Sequence, residues 1–195
     1  MRKSELVAAF EENQLLTVET CKIVNSSAEF LNRELIERYF KSKGIVINRE
    51  NEKFLLESAG ITYLDKRNRR VRCTFGGLVV FCDSNNICIP NNAIRIINKI
   101  NENYPRSIMI NGNLLDMIDK TEKEMYTLLP SGYPVFAVME AVKNSVMYRE
   151  YSIIDKVIEI ILTKNSVIVI SPGQLVSKSN MFGDMGYNKR NMWIY

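Results

Sequence analysis

Five cations fall within seven residues at Lys66, Arg67, Arg69, Arg70 and Arg72, with Asn68 among them. Guanidinium groups grip phosphate oxygens in a planar fork, so such a cluster on a turn can clamp a nucleic-acid backbone or another anionic partner. Cations on a solvated turn also keep an edge strand from pairing with other chains. A second constellation is Asp116, Asp119 and Glu122, spaced i, i+3 and i+6 on one helical face. Three carboxylates can hold Mg²⁺ or Ca²⁺. Lys120 and Lys123 interleave with them, however, and the pattern reads as a solvated helix face with no metal. Tyr148, Arg149, Glu150 and Tyr151 read as a helix end.

The chain has no histidine in 195 residues. That removes the Ser-His-Asp and Cys-His nucleophile pairs and the HExxH zinc site. Asp, Glu, Lys, Tyr and Cys remain able to move protons, but no catalytic set of them is recognisable. The expectation is a non-enzymatic protein without a cofactor. Cys21, Cys73, Cys82 and Cys88 form no CxxC pair, and a zinc site would need all four at irregular spacing. They read as small apolar residues of a reducing compartment.

Apolar residues make up 46% and charged residues 25% of the chain. These are globular proportions, sufficient for one sizeable core or two small ones. The apolar runs are only a few residues long, too short for a bilayer. Acidic residues arrive by Glu11, too early for the apolar region of a signal peptide, so the expected location is cytoplasmic. Abundant Ile and Asn alongside Lys point to an AT-rich genome, such as that of a low-GC bacterium, a phage or another virus.

The elements that must position the basic cluster begin with a short helix capped by Ser4 and a second segment capped by Thr17, with Val18, Cys21 and Val24 in helical spacing. A tight turn at Asn25–Ser27 leads to a helix over 28–43 with Phe30, Leu31, Leu35, Tyr39 and Phe40 on its apolar face, ended by Gly44. IVIN and KFLLES then read as two strands around the turn RENE. This order, with the stretch LTVETCKIVNSSAEFLNREL, resembles the winged helix-turn-helix family over about a third of the chain. Cys21 stands at that pattern's small position, Val24 at an aliphatic one, Asn25 at the turn and Leu31 on the inner face, whereas Ser26 and Glu34 replace aliphatics.

After Gly60, a β-meander is expected over 61–90, with ITYLD and RRVRCTF flanking the turn KRN and LVVFC and ICIP flanking DSNN. Residues 91–104 read as an amphipathic helix, SIMI as a strand, a helix runs from after Gly112 to about Leu129, and VFAVMEAVKNSVMY forms another. VIEIIL and VIVIS read as a hairpin around TKNS, with a helix as the alternative for the first arm, and the tail from Pro172 is rich in Gly, Asn and Met. The fold class is therefore α+β: a winged-helix-like unit over 1–60 packed on a mixed domain over 61–195 with two hairpins and three to four helices.

Charge is distributed unevenly. Residues 1–60 hold nine Lys/Arg and ten Asp/Glu, and 61–195 hold 17 and 12. The functional expectation is a nucleic-acid-binding or regulatory protein of a phage, virus or mobile element. Helix 28–43 would present Asn32 and Arg33, with Glu29, to base edges, while Arg67, Arg69, Arg70 and Arg72, beside Lys66, hold phosphates. The alternatives are a virion assembly component of the head–tail or neck type, forming homo-oligomers or held by virion neighbours, and an inhibitor that turns the basic hairpin on an acidic host protein. None of these involves a membrane.

Overall fold

The computed structural model describes residues 18–173 and, beyond them, the backbone of two short strands, Ser177–Ser179 and Met185–Tyr187. The helix expected from Ser4, the cap at Thr17 and most of the tail lie outside the described residues. The architecture is α+β, and the chain divides into two compact units, Met1–Cys82 and Asp83–Tyr195. The basic hairpin therefore belongs to the N-terminal unit, together with the segments it bonds to, and not to a region beginning at residue 61.

The N-terminal unit is built from helices α1 (Arg33–Ser42), α2 (Glu52–Ser58) and α3 (Phe75–Phe81), with strands β1 (Thr62–Asp65) and β2 (Arg70–Cys73) between the last two. Helix 28–43 is broken in two. Ala28–Phe30 is a 3-10 turn, after which Asn32 caps α1 by accepting from Leu35 N at 3.3 Å while its own N–H donates to Phe81 O at 2.6 Å. Ile36 and Phe40 carry the buried face of α1.

The strands expected at 45–58 are replaced by a loop and α2. Asn48 Oδ1 accepts from Asn51 N at 3.0 Å and Asn51 Oδ1 accepts from Asn48 N at 2.8 Å, a reciprocal pair that shapes the turn leading into α2. The stretch that resembled a helix-turn-helix folds differently. Ile23 N donates to Cys73 O and Phe75 N to Cys21 O, so 21–23 lies alongside the end of β2, with Cys21 and Val24 exposed. Ser26 is buried at the position where the family prefers an aliphatic. Its hydroxyl donates to Ile23 O at 2.6 Å and accepts from Cys73 N at 2.8 Å.

LVVFC is helical, not a strand. Thr74 Oγ1 caps α3 by accepting from Gly77 N at 3.0 Å, and a Cβ on Gly77 would lie 2.1 Å from Ile61 O. All seven residues of α3 are buried. An apolar run surrounded on every side has no period to read.

The C-terminal unit centres on a sheet of order β4-β3-β5-β6, comprising β3 (Ala93–Asn98), β4 (Ser107–Asn111), β5 (Ile158–Leu162) and β6 (Val167–Ile170). β3 and β5 run parallel, and the other pairs are antiparallel. Residues 93–98 are thus a central strand and not part of a helix over 91–104. Ile94 and Ile96 face inward and Arg95 and Ile97 face outward, an alternation of period two in β-branched residues. Helices α4 (Leu114–Leu128) and α5 (Val135–Met147) connect β4 to β5. They cover the inner face, α4 against β3 and β4, α5 against β6. Asn113 caps α4 through Asp116 N at 2.9 Å, and Met117, Thr121, Met125 and Leu128 form its buried stripe. On the exposed side Asp116 pairs with Lys120 at 3.6 Å. Cys73 and Cys82 are buried, Cys88 is half-buried and Cys21 exposed, all as free thiols.

Candidate nucleic-acid interface

β1 and β2 pair from Thr62↔Cys73 to Asp65↔Arg70, leaving Lys66–Arg69 as the connecting turn. Two Asx contacts shape that turn: Asp65 Oδ1 accepts from Arg67 N at 3.0 Å and Asn68 Oδ1 from Arg70 N at 3.1 Å. Arg69 closes it in the left-handed region at φ 56°. Its N–H donates to Asp65 O at 2.8 Å. The side chains of Lys66, Arg67, Arg69 and Arg70 are exposed, and none forms an ion pair among the described residues.

Arg72 points the other way. Its Nε bonds Asp65 Oδ2 at 3.0 Å, with both side chains largely buried, and its Nη1 donates to the carbonyls of Val24 and Ser26. This guanidinium ties the hairpin to the 23–27 turn, so it is an anchor and not a phosphate contact. Hydrogen bonds from Arg67 N and Arg72 hold the Asp65 carboxyl below its ordinary value.

Asn32 and Arg33 do not join the tip. Asn32 is committed to capping α1. Arg33 pairs with Glu37 at 2.8 Å and stands 3.9 Å from Glu52, and the Glu37 contact leads the interactions that raise its pKa. Arg33 borders a cleft of about 290 Å³ between α1, α2 and the hairpin, with Arg49 in the turn before α2 and Glu52 and Lys53 on it. Phe54 on α2 is 70% exposed, and Val46 in the preceding loop 81%. The sequence pattern reads this second helix as a strand because KFLLES is too short to show a period.

The division at Cys82 also changes the charge balance of the unit. Residues 1–82 hold 14 Lys/Arg and 11 Asp/Glu, a net of +3, against −1 for residues 1–60. The added positive charge sits on the hairpin.

No protein-family model matches this sequence, and no curated protein does. Among solved structures, the fold is similar to that of the DIP2311 protein from Corynebacterium diphtheriae, at 15% identity and a TM-score of 0.50. The alignment covers 85% of this chain and 29% of that one, so this chain spans less than a third of that protein. The likeness shows a shared α+β fold.

Proposed function

We propose that this chain is a non-enzymatic nucleic-acid-binding or regulatory protein whose contact element is the β1–β2 hairpin. The observation that carries the reading is the division of labour among the arginines. Arg72 holds the hairpin from inside, while the side chains of Lys66, Arg67, Arg69 and Arg70 are exposed at the tip and form no ion pair among the described residues. A rigid turn with four unpaired cations loses little freedom on meeting phosphates, and counterion release supplies the affinity.

The order α1, α2, hairpin, with 21–23 bonded beside β2, supports a winged helix-turn-helix reading shifted from the one in the sequence. In that arrangement α2 takes the place first given to helix 28–43, and the hairpin is the wing. Arg49, Lys53 and exposed Phe54 would lie nearest a groove. The mixed charge of α2 favours backbone contact over base readout. Usage of Ile, Asn and Lys supports a phage, virus or mobile element as the source.

Fluorescence anisotropy with labelled duplex DNA, single-stranded DNA and RNA across a salt series tests the reading. The expected result is micromolar or tighter binding that falls steeply with salt. Changing Arg67, Arg69 and Arg70 together to Ala should flatten the slope of log K against log salt by about 3, roughly 0.9 per phosphate contact on duplex. Absence of binding to all three at about 50 mM salt would overturn it.

A further inference from the structure

Among the described residues, helices cover one face of the sheet of the C-terminal unit, and a cavity of about 520 Å³ opens at one end of the other face. Its floor is a row across all four strands, since Met109 pairs with Arg95, Arg95 with Glu159 and Glu159 with Ile170 in register. Within this row the guanidinium of Arg95 pairs with the Glu159 carboxylate through Nη2, while its Nε is buried without a hydrogen-bond partner among the described residues. Asp155 and Lys156 repeat the opposed charges at the rim.

The walls are fixed from behind. Buried Arg149 donates through Nη2 to Asn91 O at 3.2 Å and to Lys156 O at 2.7 Å, joining the loops that lead into β3 and β5. Glu150 N donates to Pro172 O at 2.9 Å, and Gly173, at φ +104°, would drive a Cβ to 2.2 Å from Glu150 Cβ. Three loops thus meet around a preformed space whose volume lies in the range of small-molecule pockets.

The lining selects its ligand by charge. A net anion meets Glu159 and Asp155, a net cation meets Arg95 and Lys156, and a purely apolar molecule would strip water from the Arg95–Glu159 pair and from the charges of Asp155 and Lys156 without replacing it. A molecule carrying both signs beside an apolar group satisfies every side. We infer that this cavity binds a free α-amino acid with an apolar side chain. The carboxylate lies against the exposed part of the Arg95 guanidinium with Lys156 near, the ammonium lies against Glu159 with Asp155 near, and the side chain rests between Met109 and Ile170. The site is independent of the basic hairpin.

Isothermal titration of the full chain with L-leucine, L-isoleucine, L-methionine and L-phenylalanine tests the inference. Each is compared with its N-acetyl and carboxamide derivatives and with inorganic phosphate. At least one amino acid should bind with Kd below about 1 mM, and either cap should weaken it about tenfold or more, as expected when a charge-assisted hydrogen bond is lost. Glu159→Gln should abolish the penalty for acetylation and leave the amide penalty in place. The capped ligands read the same chemistry if that variant fails to fold. No binding at about 5 mM, capped forms binding as well as free ones, or phosphate binding more tightly than any amino acid would each overturn it.

Discussion

Two β-hairpins of this chain, β1–β2 and β5–β6, are held in opposite ways. β5–β6 is part of a four-stranded sheet, and Ile158, Ile160 and Leu162 of β5 are at most 1% exposed. β1–β2 is a two-stranded sheet whose buried residues lie at its root, at Thr62 and Cys73. An isolated hairpin is marginal in water. Here Arg72, Asp65 and the Ser26 hydroxyl supply through polar contacts what apolar burial supplies to the other hairpin. The lesson concerns the arginines: in a cluster of five cations one is consumed as structure, and its consumption leaves the remaining four fixed and free.

The sharpest way to break the contrast is to cut at each support. Ile160→Ala removes a fully buried side chain from the central strand and should cost about 2–5 kcal/mol, read as a lower denaturant midpoint with an unchanged slope. Arg72→Ala removes one charge-assisted pair and two carbonyl contacts from a partly buried site, and should cost about 1.5–3 kcal/mol. Its signature in backbone NMR should be local, confined to residues 21–27 and 62–73. If Arg72→Ala left those signals unmoved, the hairpin would not depend on its polar anchor. The joint change of Arg67, Arg69 and Arg70 to Ala should alter stability by less than about 0.5 kcal/mol per site, since those side chains touch nothing that folding needs. A large loss of stability would show that the tip is architecture too.

How much of this was legible in the sequence depended on how each segment is buried. α4 and α5 were legible because one side of each faces solvent and prints a period, as in the Met117, Thr121, Met125, Leu128 stripe. The β5–β6 hairpin was legible from its β-branched arms around TKNS, whereas periodicity left its first arm open to a helix. α3 and β3 were not legible. α3 is buried all round, so LVVFC is an apolar run that either state can use, and AIRIIN is only six residues long and was absorbed into the helical spacing read over 91–104. α2 reads as a strand in the sequence because KFLLES is too short to show a period and its N-cap, Asn51, makes no side-chain cap bond. The tip cations were placed correctly on a turn by the turn residues alone. Arg72 was grouped with them because sequence spacing shows that charges are near one another and not which of them faces Asp65 across the hairpin. Asn32 was assigned to bases for a like reason: an Asn before a helix reads equally well as a cap, and here the cap holds it.

The finest test of the polar anchor is titration of Asp65. Backbone donation from Arg67 N and the side-chain bond from Arg72 both favour the ionised carboxyl, so its folded pKa lies below that of the unfolded chain. By linkage, the contribution of this group is fully present above the ordinary aspartate value of about 3.9 and is lost as pH falls through the depressed folded value. The hairpin should therefore be insensitive to pH from neutrality down to about 4 and loosen only below that. Following the amide signals of Arg67 and Arg69 against pH should show one transition below the usual carboxylate range. Asp65→Asn should remove it while keeping an acceptor for Arg67 N, and should leave the β5–β6 signals unchanged. A transition at or above the ordinary aspartate value would mean that the carboxylate gains nothing from Arg72, and that the hairpin is held by its backbone contacts to 21–27 alone.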